Sequence, residues 1–171
     1  MSSSLSIEVL SKSHHRDDFD CGNAVLNHFL QKIARQHSEQ GISKTFVLID
    51  KAHPNDIMAY MTIVVCEVLS QDIPHQWVNK YPRRIPAAKL VKHAVTQDKQ
   101  RKGDGAILLV DAMQKTLHVS DTMGIAGLFV DTKDEDAKRY YHQFGFIALP
   151  DQLDSLFLPL STIANSLQQK N

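Results

Sequence analysis

Seven consecutive residues, Gln100-Arg101-Lys102-Gly103-Asp104-Gly105-Ala106, have the types and spacing of an anion cradle. Two glycines one residue apart let the backbone turn tightly and bring its N–H groups close to a ligand. The helical pattern that begins near Ala106 aims its N-terminal N–H groups and positive dipole end at the same point. An apolar, β-branched run from Lys89 to Thr96 comes just before. The chemistry such a strand, basic turn and helix support is phosphate or pyrophosphate binding. It is not a P-loop, which needs four residues between its glycines and then Lys-Ser/Thr; here Gly105 leads into Ala106-Ile107. It is not a dinucleotide fingerprint either, because no third glycine falls at the right spacing. Taken alone, the heptapeptide fits a solvated turn with a helix cap equally well.

Other residues with chemical potential are scattered. Tyr141 shares a helical face with Ala137, Tyr140 and Phe144, a pattern that by itself describes core packing. His93, inside an apolar strand, and Glu67, where an apolar run meets polar residues, are candidate bases with equally simple structural readings. Trp77 reads as a residue that staples a loop to the core. Cys21 and Cys66 lack metal-ligand spacing and read as reduced, buried thiols.

The elements that must position these groups follow from periodicity. Ser6–Ser11 reads as a strand. A helical segment from Phe19 through Gln36 places Leu26, Phe29, Leu30 and Ile33 on one face, with Asp20 or Asn23 as cap and Gly41 beyond its end. Thr45–Ile49 is a short strand, Pro54-Asn55-Asp56 a turn, and Ile57–Leu69 a strand expected to be buried on both faces. Pro74–Pro86 reads as irregular, with a short helix around Trp77. The helix after the glycine loop turns Ile107, Leu108, Leu109, Ala112, Met113 and Leu117 inward. Gly124–Val130 is a strand, Asp134–Phe144 a helix that ends at Gly145, Phe146 the start of another strand, and Leu156–Leu160 a last strand before a polar tail. The order β-α-β-β-β-α-β-α-β-β implies an α/β (α+β) fold, a mixed sheet with helices on its faces, in a single domain spanning 1–171.

Composition suits a soluble domain: 171 residues, 43% apolar, 22% charged, no repeat. The N-terminus lacks a signal-peptide pattern and no apolar run approaches a bilayer span, so a cytoplasmic protein without membrane contact is expected. Net charge is zero, yet residues 80–102 carry Lys80, Arg83, Arg84, Lys89, Lys92, Lys99, Arg101 and Lys102 against Asp98, a local charge of +7. A segregated basic stretch can concentrate a polyanion although the whole chain is neutral.

Three motifs together resemble the GNAT N-acetyltransferases. Gln100 to Ala106 is similar to their Gln/Arg-x-x-Gly-x-Gly/Ala loop. Asp134 to Phe146 is similar to Asn-x-x-Ala-x-x-φ-Tyr-x-x-φ-Gly-Phe, with Tyr141 at the tyrosine position. Leu90-Val91-Lys92-His93-Ala94-Val95 resembles the strand that contacts the acyl donor. Within that family the flanks resemble the acetyltransferase toxins of toxin–antitoxin pairs. These flanks are Phe19-Asp20-Cys21-Gly22 followed by Leu26-Asn27-His28-Phe29-Leu30, the basic Tyr81–Leu90 approach, Phe129–Asp134 and Leu156–Leu160. Three positions depart from the pattern: Asp104 replaces an apolar residue, Asp134 an asparagine, and His93-Ala94-Val95-Thr96 the usual Leu-Ala-Val-Asp.

The resemblance implies a mostly antiparallel GNAT-like sheet and acetyl-CoA as cofactor. It places Ala94, Val95, Gln100, Arg101, Lys102, Gly103, Asp104, Gly105 and Ala106 at that cofactor, with the Val95 N–H on the thioester carbonyl. Tyr141 becomes the general acid for the departing thiolate, since phenol (~10) and thiol (~8.5) have comparable pKa values. An α-amine with pKa near 8 needs less help to become neutral than a lysine amine near 10.4, which favours aminoacyl-tRNA as acceptor. Arg83, Arg84, Lys89 and Lys92 would then hold tRNA. The resemblance also implies a ribbon-helix-helix antitoxin as partner, and leaves room for a homodimer. The alternatives are a small amine or protein N-terminus as acceptor, or a non-catalytic acyl-CoA-binding module.

Overall fold

The computed structural model describes residues 4–69, 80–150 and 152–168. Contacts group the chain into two compact units, residues 1–64 with 91–111, and residues 65–90 with 112–171. Strands β3 (Ala59–Leu69) and β4 (Arg84–Val95), and helix α3 (Asp104–Val119), each contribute to both.

In the first unit, β1 (Leu5–Val9) pairs antiparallel with β2 (Lys44–Asp50), from Leu5↔Asp50 to Val9↔Phe46. Strand β2 in turn pairs antiparallel with β3, from Lys44↔Ile63 to Leu48↔Ala59. Between β1 and β2 the chain forms α1 (Ala24–His28), a π-helical turn (Phe29–Ile33) and α2 (Ala34–Glu39). Asn23 is the cap, its Oδ1 accepting from the N–H groups of Val25 and Leu26. The apolar face expected for this segment packs as a core of Phe29, Leu30 and Ala34 against Phe19, Val47, Ile49, Tyr60 and Ala94. Phe29 stacks on Tyr60 at 6.4 Å between centroids, and Phe19 meets Tyr60 edge-on at 5.3 Å. The Tyr60 hydroxyl donates to the Leu26 carbonyl at 2.7 Å, which fixes the helix to the sheet.

In the second unit, β4 pairs parallel with β5 (Gly127–Asp131), from Ala88↔Leu128 to Leu90↔Val130. Strand β7 (Ser155–Pro159) pairs antiparallel with both β5 and β6 (Ile147–Ala148). Helices α4 (Glu135–His142) and α5 (Leu160–Gln168) complete it. Ile85, Ala87, Phe129, Leu149 and Phe157 form its core, with Phe129 and Phe157 stacked at 4.5 Å. Gly127 allows the tight β5–β7 approach, because a Cβ there would lie 2.3 Å from the Leu158 carbonyl oxygen. Strand order is β1-β2-β3-β4-β5-β7-β6, a mixed, mostly antiparallel sheet with helices between its strands.

Several expectations need correction. Strand β3 is buried only through Thr62; beyond it the strand turns side chains to solvent, and Val65 is 77% exposed. Strand β4 starts at Arg84, so Pro86 lies inside it, its carbonyl accepting from the Ala126 N–H. Helix α3 starts at Asp104, and Ile107 is an exposed position of its first turns. The supposed polar tail is α5, seated by a fully buried Ile163. Trp77 and its expected helix lie outside the described residues.

Candidate functional site

The glycine loop opens α3 in the first unit. Arg101 has φ 64° and Gly103 φ 90°, two left-handed residues that reverse the chain within three positions. At Gly103 glycine relieves the backbone cost. A Cβ there would touch nothing within 4 Å among the described residues, so they leave space open in front of the loop. The helix supplies a turn of N–H groups without intrahelical acceptors; the first intrahelical bond runs from the Ile107 N–H to the Gly103 carbonyl at 3.1 Å. Arg101 and Lys102 are exposed beside them. This arrangement can hold a pyrophosphate.

Two side chains fix the loop's shape. The Gln100 amide donates at 2.9 Å to the Val95 carbonyl and at 2.9 Å to the Cys21 carbonyl. Expected to face the ligand, Gln100 spends its side-chain amide on the protein, tying the loop to the end of β4 and to the segment before α1. His93 Nε2 lies 2.8 Å from the Gly105 carbonyl and, facing an acceptor, is the donor. Burial lowers the His93 pKa against the smaller opposing effect of that bond, which favours the neutral Nε2–H form. His93 is therefore a brace for the first turn of α3. Alternation along β4 sets His93 and Val95 on the α3 side, and Lys92 and Ala94 on the α1 side.

Sequence reasoning offered Asp20 only as a helix cap and gave Asp20-Cys21-Gly22 no place at the glycine loop. In the structure the Asp20 carbonyl accepts from the Gln97 N–H at 2.9 Å. Its carboxylate accepts from the Gly22 N–H and from Asn27 Nδ2, which holds its pKa below the usual carboxylate value. Gly22 has φ 87°, and a Cβ there would come within 2.7 Å of Gln97 Nε2. The segment is the loop's second wall. The signal was present, in the Cys-Gly pair shared with the toxin branch.

Asp104 stands where an apolar residue was expected. Only 6% exposed, it has an Oδ2 that makes no hydrogen bond. Burial raises its pKa, against the attraction of Lys99 and Lys102. The carboxylate turns inward, so the cradle keeps its positive character. Asp134 is the cap of α4: its Oδ1 accepts from the Ala137 N–H at 2.8 Å, a bond the expected asparagine would also make.

Tyr141 lies on α4 in the second unit, 8% exposed, edge-on to Tyr140 at 5.3 Å and to Phe146 at 5.6 Å. Burial, with a smaller effect of Tyr140, pushes its pKa well above that of free phenol. It stays protonated at any working pH. The raised value opens a gap to the thiol that ordinary pKa values do not show: Tyr141 keeps its proton available, and is a weaker acid than free phenol. Of the expected tRNA contacts, Arg83 is exposed, Arg84 pairs with Glu67 at 2.8 Å, and Lys89 pairs with Asp131 at 2.6 Å. Glu67 is thus engaged by an arginine, which weakens its candidacy as a base. Lys92 stands 5.3 Å from the centre of the Phe29 ring. Cys21 and Cys66 are free thiols, and both are only partly buried, not fully buried as expected. Among the described residues no helix is long and apolar enough to cross a membrane, and no group of side chains has metal-binding geometry.

No family profile matches the chain. It is 26% identical over 167 residues, 92% of each chain, to a probable toxin TacT of Sinorhizobium fredii. It is 26% identical over 132 residues to a tRNA-acetylating toxin of Mycobacterium tuberculosis, covering 77% of this chain and 78% of that one. Among solved structures it superposes on AtaT complexed with acetyl-methionyl-tRNAfMet at a TM-score of 0.89, with 28% identity, covering 95% and 99% of the two chains. AtaT is also solved as a tyrosine-to-phenylalanine variant with acetyl-CoA and the C-terminus of the antitoxin AtaR, with a TM-score of 0.83 and 26% identity over 98% and 100%.

Proposed function

From the premise that this chain is an acetyl-CoA-dependent acetyltransferase of the GNAT fold, similar to the tRNA-acetylating toxins, we propose that it acetylates the α-amine of aminoacyl-tRNA and so blocks translation. The observation that carries this reading is the cradle at Gly103 to Ala106. Its N–H groups face open space, its one carboxylate is turned inward, and Gln100 and His93 hold its shape. Acetyl-CoA supplies the activated acetyl thioester. Gly103, Asp104, Gly105 and Ala106 hold the pyrophosphate through backbone N–H groups, with Arg101 and Lys102 adding charge. Ala94 and Val95 line the donor, and the Val95 N–H donates to the thioester carbonyl, stabilising the negative charge that develops there.

The amine nitrogen forms the new C–N bond as the C–S bond breaks. Tyr141 gives its phenolic proton to the departing sulfur, and the proton lost by the amine restores the phenol by way of water. Products are the N-acetyl aminoacyl ester and the free thiol. Asp104 turned inward and Asp134 capping α4 both leave the cradle and the Tyr141 helix intact, which supports catalysis over a non-catalytic acyl-CoA-binding module.

This reading takes residues 1–171 as one catalytic domain, cytoplasmic, with tRNA held by Arg83, Arg84, Lys89 and Lys92. Its partner is an antitoxin whose tail covers the site. The test is incubation with radiolabelled acetyl-CoA and mixed charged tRNAs. Label is expected on the aminoacyl group, with kcat reduced about 10²–10⁴-fold in Tyr141→Phe, the usual worth of a general acid. Label on free amines or peptides and none on charged tRNA would overturn the tRNA reading.

A further inference from the structure

Within the first unit, one polar side chain of α1 reaches back to the segment that precedes the helix. Asn27 Nδ2 donates to Asp20 Oδ1 at 2.9 Å, and Asn27 Oδ1 accepts from the Cys21 N–H at 2.9 Å. Asp20 Oδ1 accepts a second bond from the Gly22 N–H, also at 2.9 Å, so three consecutive residues are gathered on one amide and one carboxylate. The carbonyls of two of them hold the glycine loop. That of Asp20 accepts from the Gln97 N–H and that of Cys21 from the Gln100 amide, both at 2.9 Å. The helix end of this chain of bonds is fixed. Tyr60 holds the carbonyl of Leu26, the neighbour of Asn27, and Leu30, three residues on, is fully buried.

We infer that Asn27 is a positioning residue for the donor site, passing the fixed place of α1 through Asp20 and Cys21 to Gln97 and Gln100, and so to the cradle at Gly103 to Ala106. The inference rests on the acetyl-CoA reading of that cradle and adds a residue to its support. Three observations carry it. The position needs a donor toward a carboxylate and an acceptor toward an N–H, and an amide supplies both on one planar group. The helix does not need this side chain for itself: Asn23 caps it, bonding the N–H groups of Val25 and Leu26. Inside a helix asparagine is a poorer former than alanine, so the Asn27 side chain contributes through the two bonds it makes outside. Finally, Cys21 is held from both sides, its N–H by α1 and its carbonyl by Gln100. Releasing one side loosens the other.

The test titrates acetyl-CoA into the full chain by calorimetry, a readout that needs no acceptor, and follows kcat and KM beside it. Asn27→Ala should weaken acetyl-CoA binding about 3–10-fold, the worth of about one hydrogen bond, with kcat little changed. Asp20→Ala should show the same loss, and Asp20→Asn, which keeps the accepting oxygen, should recover it. Asn23→Ala is the control for a merely structural role: it uncaps the same helix, so its Tm should fall while its acetyl-CoA affinity holds. Combining Asn27→Ala with Gln100→Ala should cost less than the product of the two single losses, because both act through Cys21. Affinity unmoved by Asn27→Ala, an equal loss in Asn23→Ala, or losses that multiply in full would refute the positioning role and leave the cradle standing. No binding of acetyl-CoA by the wild type would refute both.

Discussion

Asp104 is a carboxylate at the mouth of an anion site, made tolerable by its orientation. The cost is a buried oxygen without a partner, about 1–3 kcal/mol, offset in part by the favourable placement of negative charge at a helix N-terminus. Asp104→Ala should therefore stabilise the protein by about 1 kcal/mol at pH 7, measured by urea unfolding. Burial raises the Asp104 pKa above its unfolded value, so the folded state binds the proton more tightly. Its destabilising effect appears as pH rises through the window above the ordinary carboxylate pKa and vanishes below it. The advantage of Asp104→Ala should fade as the titration approaches pH 4, and a constant advantage at all pH values would show that charge is not its cause. His93 has the opposite dependence. With a folded pKa below the unfolded one, its contribution is complete above the unfolded value of about 6.5 and is lost as pH falls below it through the lowered folded value. At this scale the sequence was informative about identity and silent about direction. Spacing found Tyr141 and Asp104, but no spacing rule says that one phenol is buried or that one carboxylate turns away from its neighbours.

The loop from β4 to α3 was the most legible element, since two glycines and a helix start announce themselves. Its bracing was hidden, because the partners of Gln100 lie both near and very far along the chain, at Val95 and Cys21. Gln100→Ala removes two hydrogen bonds, together about 1–3 kcal/mol. It should raise the KM for acetyl-CoA about tenfold or more with kcat little changed, by steady-state kinetics; an unchanged KM would mean that the loop holds its shape without them. Helix α5 was legible after all. Leu160, Ile163, Ala164 and Leu167 follow the i, i+3, i+4, i+7 pattern, and the serines, asparagine and glutamines between them gave the stretch a polar look. In β3 the reverse happened. An apolar run looks alike whether covered on one face or two: Cys66 and Val68 pack partly buried against the second core, whereas Val65 beside them is exposed. The π-turn at Phe29–Ile33 left no trace in a pattern that fits an ordinary helix just as well.

For the whole molecule, zero net charge conceals a basic stretch whose members differ in freedom. Arg84 and Lys89 already have carboxylate partners; the Arg84–Glu67 pair is largely solvated and worth about 0–1 kcal/mol, so polyphosphate can compete for Arg84, whereas Lys89 is more enclosed. Arg83→Ala combined with Arg84→Ala should lower the slope of log affinity against log salt for tRNA by about 1–2, as loss of two phosphate contacts requires. An unaltered slope would place the nucleic acid on another face.

The two compact units also interleave along the chain, each built from two stretches that alternate in sequence. No single cleavage of the backbone can therefore release either unit whole. A protease that nicks an exposed turn yields fragments each missing a required strand, so neither half can be expressed as a miniature of the enzyme. Its stability is accordingly a property of the uncut polypeptide: heat or denaturant should take it apart in one step, and a nick should hasten complete loss where a beads-on-a-string protein would shed only one bead.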